Sequence, residues 1–155
     1  MEHATLVFLL KDNMVCLAMK KRVFGKGKWN GSGGKIGDML AFRNETPIEA
    51  AQREVLEELG VAVKKLIPAG EVRFVFPHKS EWDTHVYLFI TKQWQGTPTE
   101  TEEMRPQWFS FDAIPYDTMW DDDKYWLPKV LSGKKVFARF VFDSKEKVIY
   151  TESSY

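Results

Sequence analysis

The chain has 155 residues, of which 22 are Lys or Arg and 22 are Asp or Glu, so its formal net charge is zero. This length fits about one domain of roughly 100–200 residues, and the balanced charge argues against a protein whose main task is neutralising nucleic-acid phosphates. The longest apolar run, 14–19, is much shorter than the ~20 residues that cross a bilayer. We therefore expect a single domain over 1–155, with no membrane partner and no stable nucleic-acid partner.

Two further features concern the compartment and the ligand. The first residues show no basic segment ahead of a hydrophobic stretch, and Cys16 is the only cysteine. These features predict no secretory signal and no intrachain disulfide, so we expect a cytoplasmic protein, acting as a monomer. Aromatic residues make up 14% of the chain, including 6 Trp and 11 Phe. That is more than a core of this size needs, so we expect some rings to line a pocket for a flat ligand.

The N-terminal part of the chain predicts a β-hairpin followed by an irregular loop. Apolar runs at 5–11 and 14–19 flank the turn signal Asp12-Asn13. Segment 20–37 is basic and rich in glycine, which is typical of loops.

The best-specified element is a helix that begins after Thr46. Thr46 and Glu49 have capping-box spacing, Pro47 suits the first helical position, and Gly60 supplies a left-handed stop. At about 100° per residue, four apolar residues share one face: Ile48, Ala51, Val55 and Leu59.

The remaining elements alternate between strands and a second helix. Strand-like segments lie at 71–76, 84–91 and 107–111, a helix is predicted at 121–131 with an Asp cap, and a hairpin is predicted from 135–142 and 147–151. Strands on both sides of a long helix predict a mixed α/β domain.

Three carboxylates stand together on the first predicted helix. Glu54, Glu57 and Glu58 occupy positions i, i+3 and i+4, beside the apolar face. Like charges at this spacing destabilise a helix by about 0.2–0.5 kcal/mol. The cluster is either a solvated acidic face, partly neutralised by Arg53, or a set of hard oxygen ligands for Mg²⁺.

The residues around this cluster resemble the signature of the Nudix hydrolases, G-x5-E-x7-R-E-U-x-E-E-x-G-U, where U is a bulky aliphatic residue. Glu45 and the run from Arg53 to Val61 match it from the first glutamate onward. The glycine expected before Glu45 is replaced by Met39, and ten residues rather than five separate Gly34 from Glu45. The resemblance implies an α/β/α sandwich, and the lengthened 37–44 loop raises the question whether Met39, Leu40 and Phe42 cover the substrate or a neighbouring chain.

Other segments are similar to a narrower branch, the MutT homologues that hydrolyse oxidised purine nucleoside triphosphates. They lie where Nudix families differ from one another, at 19–35, 96–98, 103–109 and 119–126. The resemblance implies Mg²⁺-dependent hydrolysis of 8-oxo-dGTP- and 2-oxo-dATP-type nucleotides to the monophosphate and pyrophosphate, which keeps them out of nucleic acid. Mn²⁺ is the alternative cation.

The resemblance also implies the roles of individual residues. Glu58 is our first choice for the residue that accepts the proton of the attacking water, with Glu54 and Glu103 as alternatives. The implied catalytic residues are Glu54, Glu57 and Glu58. Arg53 and Glu45 are expected to form a supporting ion pair. The implied metal ligands are the Gly33 carbonyl, Glu54, Glu57, Glu58 and Glu103.

The implied nucleotide pocket joins the glycine-rich loop to a tryptophan and an acidic run. Trp120 would stack on the base, while Asp122 and Asp123, as close carboxylates that need not both ionise, could share a proton and donate to a purine carbonyl. The full set of implied substrate-binding residues is Thr5, Lys20, Phe24, Asn30, Ser32, Gly33, Gly34, Lys35, Trp120, Asp121, Asp122 and Asp123.

Two other functions remain open at this point. A Nudix enzyme could instead cleave another diphosphate, such as an RNA 5′ end or a nucleotide sugar. A Nudix-like domain could also bind a nucleotide without hydrolysing it, although such a domain has no need for all three helix glutamates.

Overall fold

The computed structural model describes residues 1–22, 25–37 and 44–154. The expectations for Phe24 and for Met39, Leu40 and Phe42 lie outside the described residues. Within the described ranges the chain forms eight strands and two α-helices. They are β1 (Glu2–Lys11), β2 (Met14–Lys20), β3 (Trp29–Asn30), α1 (Pro47–Leu59), β4 (Ile67–Val75), β5 (Thr84–Thr91), β6 (Met104–Ser110), α2 (Asp123–Leu131), β7 (Val136–Phe142) and β8 (Val148–Ser154).

The strands form one mixed sheet in the order β3-β2-β1-β5-β4-β7-β8, with β6 paired to β2. β1 runs parallel to β5 and β4 runs parallel to β7, whereas the other pairs are antiparallel. β2 pairs with β1 only near their hairpin and with β3 at its other end. The two strands therefore separate toward the start of β1, where the glycine-rich loop returns to the sheet.

Each face of the sheet carries one helix, so the α/β/α sandwich is confirmed. Alternate residues of β1 point to opposite faces, as a strand requires. Leu6, Phe8 and Leu10 pack in the cluster that includes α2. Val7 and Leu9 pack with α1 on the other face.

The predicted caps of α1 are confirmed. Thr46 and Glu49 form both hydrogen bonds of a capping box, and Gly60 ends the helix with φ of 73° and its N–H bonded to the Leu56 carbonyl. The predicted apolar face is wrong at Ile48, which is 46% exposed. Ile48 lies in the first turn, ahead of Ala51 and the residues that pack on the sheet.

The second helix differs more from its prediction. It begins at Asp123, and Asp122 at its N-cap makes no side-chain capping bond, because that carboxylate accepts a hydrogen bond from the Trp126 indole instead. Pro128 lies inside the helix, where it removes one backbone donor. Neither described helix is long and apolar enough to span a membrane.

All seven predicted strands are present, and the structure adds an eighth, β3, which was not predicted. This two-residue strand lies within the segment predicted as loop, and it is held by backbone pairing to Ala18 and Met19. So short a strand has no periodicity of its own that sequence could reveal.

Candidate active site

A cavity of about 240 Å³ opens beside the α2 face of the sheet, where β1 and β2 separate. Most of the predicted nucleotide-binding residues line it. Those brought together there are Thr5, Lys20, Asn30, Gly33, Gly34, Lys35, Trp120, Asp122 and Asp123.

Two predicted binding residues have other partners. Ser32 is buried and its hydroxyl donates to Glu58 Oε1 at 2.8 Å, so its side chain is directed at the glutamate cluster. Asp121 is not among the residues that line the cavity. Its carboxylate accepts the Val148 N–H at 2.9 Å and contacts Lys124 Nζ at 3.2 Å, which fastens β8 to the start of α2.

Aromatic rings form much of the cavity wall. Trp120 lies edge-on to Phe76 and Phe142, with ring centroids 6.3 and 6.1 Å apart. Phe74 and Trp82 add two further rings. The aromatic excess of the sequence is thus partly explained by a pocket, but only Trp120 among these rings was predicted. Phe74 and Phe76 alternate near the end of the predicted strand 71–76, but this pattern fits a core face as well as a cavity wall.

Lys28, which belongs to the basic run at 20–28, also lines the cavity. Its ammonium lies 5.1 Å from the centroid of the Trp120 ring and 3.9 Å from a carboxylate oxygen of Glu146. Two other cations of the basic run also have acidic partners. Lys21 contacts Glu100 at 2.6 Å, and Arg22 lies within 4.0 Å of Glu102 and Glu103.

Asp122 and Asp123 are both almost completely buried at the cavity. Burial raises the pKa of Asp122 to about 6, against the lowering effect of the Trp126 indole, which donates to its Oδ2 at 2.6 Å. Burial and the neighbouring Asp122 carboxylate raise the pKa of Asp123 as well, and a side-chain hydrogen bond joins the two residues. The pair therefore holds a proton more readily than two exposed carboxylates do.

Two buried oxygens at this cavity have no hydrogen-bond partner. In the described part of the chain, Thr5 Oγ1 and Asp123 Oδ2 are the buried side-chain polar atoms left in this state. Unsatisfied buried polar groups are costly and rare in folded proteins. Since both residues line the cavity, a ligand with matching polar groups would satisfy them.

The three helix glutamates lie behind the glycine-rich loop in different environments. Glu58 is 1% exposed, and its Oε1 accepts from Ser32 Oγ and from the Gly33 N–H, both at 2.8 Å. Burial raises the pKa of Glu58 to about 7. Glu54 is also buried, and burial raises its pKa. The side chain of Glu57 is 53% exposed.

Arg53 connects these glutamates to Glu45. Its Nε and Nη2 donate to the two carboxylate oxygens of Glu45 at 2.6 and 2.9 Å, which confirms the predicted ion pair. The hydrogen bonds from Arg53 hold the pKa of Glu45 below its usual range. The Arg53 Nη1 also donates to Glu54 at 2.8 Å and to Glu57 at 3.3 Å.

Two glycines bring the cavity wall into contact with the glutamates. A Cβ on Gly34 would lie 2.5 Å from the Glu54 carboxyl carbon, and a Cβ on Gly33 would lie 1.8 Å from the Thr5 carbonyl oxygen. Glycine is therefore required at both positions for the loop to pass between β1 and α1. The cavity and the carboxylate cluster are adjacent parts of one site.

The described residues do not form a ready-made metal cage. No three carboxylate, histidine or cysteine side chains among them converge as a metal-binding group. The physical reason is that the Arg53 Nη1 group holds Glu54 and Glu57, while Glu58 Oε1 is engaged by Ser32 and Gly33. All the donors are nevertheless hard carboxylate oxygens, the ligand type that divalent cations such as Mg²⁺ take.

Comparison with known proteins agrees with this arrangement. The family model of the NUDIX domain matches residues 2–130. The chain is 43% identical over 145 residues to the oxidized purine nucleoside triphosphate hydrolase of Mus musculus, covering 94% of this chain and 89% of that protein. It is 41% identical, over the same lengths and shares, to the protein of that name from Danio rerio.

A solved structure shows the same fold. The mutator MutT protein from Bacillus halodurans superimposes with a TM-score of 0.84 at 22% identity, covering 99% of this chain and 98% of that one. Since the domain match and the relatives both cover most of the sequence, this chain belongs to the Nudix hydrolase family, whose members generally use divalent metal cations.

Proposed function

We propose that this enzyme hydrolyses oxidised purine nucleoside triphosphates, of the 8-oxo-dGTP and 2-oxo-dATP type, to the monophosphate and pyrophosphate. The observation that carries the proposal is the passage of Gly33 and Gly34 between a ring-lined cavity and the buried Glu54 and Glu58. A nucleotide held in the cavity would then present its phosphates to the carboxylate cluster. The names of the relatives from mouse and zebrafish support the same substrate class.

The carboxylate cluster supports a role for Mg²⁺. We assign Glu54, Glu57, Glu58, Glu103 and the Gly33 carbonyl as its ligands. Glu54 and Glu57 would exchange their bonds to the Arg53 Nη1 group for the cation, while Arg53 keeps Glu45 through Nε and Nη2. When bound, the cation neutralises phosphate charge and lowers the pKa of a bound water.

The chain's own residues then orient the reaction. Ser32 and Gly33 fix one oxygen of Glu58, which is our first choice to accept the proton of the attacking water, before Glu54. Lys20 and Lys35 line the cavity beside the glycine loop and suit the phosphate charge. The ring of Trp120 offers a stacking face worth about 1–3 kcal/mol.

The purine edge would be read by Asp122 and Asp123. A proton held on this pair lets the site both donate to a purine carbonyl and accept from a ring N–H. Asn30 adds amide donors, since its Oδ1 already accepts the Gly31 N–H at 2.8 Å. Such a pair would accept both oxidised guanine and oxidised adenine. The cellular role that follows is removal of oxidised nucleotides from the pool, carried out by a monomer in the cytoplasm.

The direct test is pyrophosphate release with Mg²⁺. The substrates are 8-oxo-dGTP, 2-oxo-dATP, dGTP, dATP and, as rivals, a nucleotide sugar and a triphosphorylated RNA 5′ end. We expect kcat/KM to be highest for the two oxidised nucleotides. Faster cleavage of the sugar or the RNA end would contradict the substrate assignment.

Removing one carboxylate charge tests the metal assignment. We expect Glu57→Gln and Glu58→Gln each to lower kcat by at least about 100-fold, because each loses a proposed ligand, while nucleotide binding stays measurable by fluorescence titration. Glu49→Gln is the control, since Glu49 lies on the same helix and its carboxylate accepts the Thr46 N–H of the helix cap. Normal turnover in both test variants would refute the assignment, and nucleotide binding without turnover in the wild type would indicate a binding domain.

A further inference from the structure

Thr101 ties the loop that carries Glu103 to the last turn of α1. Its Oγ1 donates to the main-chain carbonyl of Glu58 at 3.0 Å. The same oxygen accepts from the main-chain N–H groups of Glu103 and Met104, each at 3.3 Å. One hydroxyl therefore joins the backbones of two glutamates that are 45 positions apart in the chain.

The remaining polar groups of Thr101 are fixed as well. Its N–H donates to the Met104 carbonyl at 2.9 Å, and its carbonyl accepts from Lys21 Nζ at 2.9 Å. The Lys21 N–H in turn donates to the Glu103 carbonyl at 2.9 Å. The residue cannot rotate its hydroxyl away from Glu58 without breaking other bonds, so the loop is held against the helix in one arrangement.

Glu103 needs such an anchor more than the helix glutamates do. Its side chain is 48% exposed, and the ion pair it makes, with Arg22, spans 3.6 Å at the surface. Surface ion pairs of this kind contribute very little free energy, so this one does little to hold the Glu103 side chain in place. Mg²⁺ demands near-octahedral oxygen geometry, so a ligand arriving from a separate loop must be placed within a few tenths of an ångström.

We propose that Thr101 is a positioning residue of the active site, whose hydroxyl sets the separation of the Glu103 and Glu58 backbones and thereby the affinity for the divalent cation. The inference rests on the proposed metal-dependent function. Thr101 touches neither the cation nor the nucleotide and acts through Glu103.

The experiment is a Mn²⁺ titration of the nucleotide-free protein, followed by electron paramagnetic resonance. We expect Thr101→Val to weaken Mn²⁺ binding about 10-fold, because partners that orient metal ligands typically contribute 10–100-fold. Thr101→Ser keeps the hydroxyl and is expected to stay within about 2-fold of the wild type. Thr101→Ala removes the hydroxyl without β-branching and repeats the test if the valine variant unfolds.

Thr99→Val is the matched control. Its hydroxyl bonds the next helix carbonyl, that of Leu59, at 3.4 Å, from the same loop but with no bond to Glu103. We expect its Mn²⁺ affinity to be unchanged. Hydrogen exchange gives a metal-free readout, in which the amides of Glu103 and Met104 exchange faster in Thr101→Val and not in Thr99→Val.

A double variant separates positioning from general loosening of the loop. If Thr101 acts through Glu103, Thr101→Val has no further effect on Mn²⁺ affinity once Glu103→Gln is present. An equal loss in that background, or wild-type affinity in Thr101→Val, would overturn the inference while leaving hydrolysis by the wild type intact. A wild type that binds no Mn²⁺ and releases no pyrophosphate would overturn the proposed function as well.

Discussion

Single residues at this site derive their chemistry from burial. Asp121, Asp122 and Asp123 are consecutive, yet only the last two lie at the cavity. Burial raises the pKa of both Asp122 and Asp123, whereas Asp121 lies against Val148 and Lys124. A run of three aspartates is therefore divided between a structural contact, made by Asp121, and the cavity, where we propose that Asp122 and Asp123 recognise the base.

This contrast gives a prediction for base selectivity. Asp122→Asn and Asp123→Asn cannot share a proton as the native pair does, so we expect each to reduce the preference for 8-oxo-dGTP over dGTP, in kcat/KM, by roughly 10-fold or more. Asp121→Asn is the control, and we expect it to keep the wild-type preference. Unchanged selectivity in both Asp122→Asn and Asp123→Asn would exclude the carboxylate pair as the base reader.

At the scale of elements, the site depends on the loop that separates β1 from α1. The Ser32 backbone forms two hydrogen bonds with Val7 of β1, at 2.7 and 3.0 Å, and its side chain bonds Glu58 of α1. Gly34 follows, and its backbone leaves no room for a Cβ beside the Glu54 carboxylate. The loop is thus a packed layer between the strand and the helix that carries the glutamates.

We therefore expect Gly34→Ala to lower kcat/KM by at least about 10-fold, because its Cβ would lie 2.5 Å from the Glu54 carboxyl carbon and displace this proposed metal ligand. Gly27→Ala in the same segment is the control. Its Cβ would meet no atom within 4 Å, although φ of 83° makes it costly for stability. Equal losses of activity in the two variants would mean that strain in the loop, and not contact with Glu54, is responsible.

The elements differ in how far sequence could predict them. α1 was predictable to the residue, because Thr46 and Gly60 are local signals that need no tertiary contact. β3 and the direction of the Ser32 side chain were not, since both depend on where a glycine-rich loop meets strands that are distant in sequence. The rings of Phe74, Phe76 and Phe142 were missed for a related reason: a residue at a strand end has the same local pattern whether it faces core or cavity.

On the scale of the whole molecule, four buried carboxylates set the response to pH. Burial raises the pKa of Glu58 to about 7 and that of Asp122 to about 6, and it raises those of Glu54 and Asp123. In the unfolded chain these groups titrate at roughly 4. Between these values the folded protein binds more protons than the unfolded one, so its stability falls as pH rises.

We therefore expect the urea concentration at the unfolding midpoint of the metal-free protein to decrease as the pH is raised from 4 to 7. Carboxylates with lowered pKa, such as Glu45, act in the opposite sense, but their contribution is nearly complete above about pH 5.5, so the fall should be clearest between pH 5.5 and pH 7. On the proposed assignment, Mg²⁺ would bind the ionised forms of Glu54 and Glu58. Its addition should then remove the part of the stability loss that comes from these two glutamates and leave the part that comes from Asp122 and Asp123. In the double variant Asp122→Asn/Asp123→Asn the Mg²⁺-bound curve should become nearly flat over this range. A midpoint that stays level or rises from pH 5.5 to pH 7 without metal would show that these carboxylates ionise in the folded state at least as easily as in the unfolded chain.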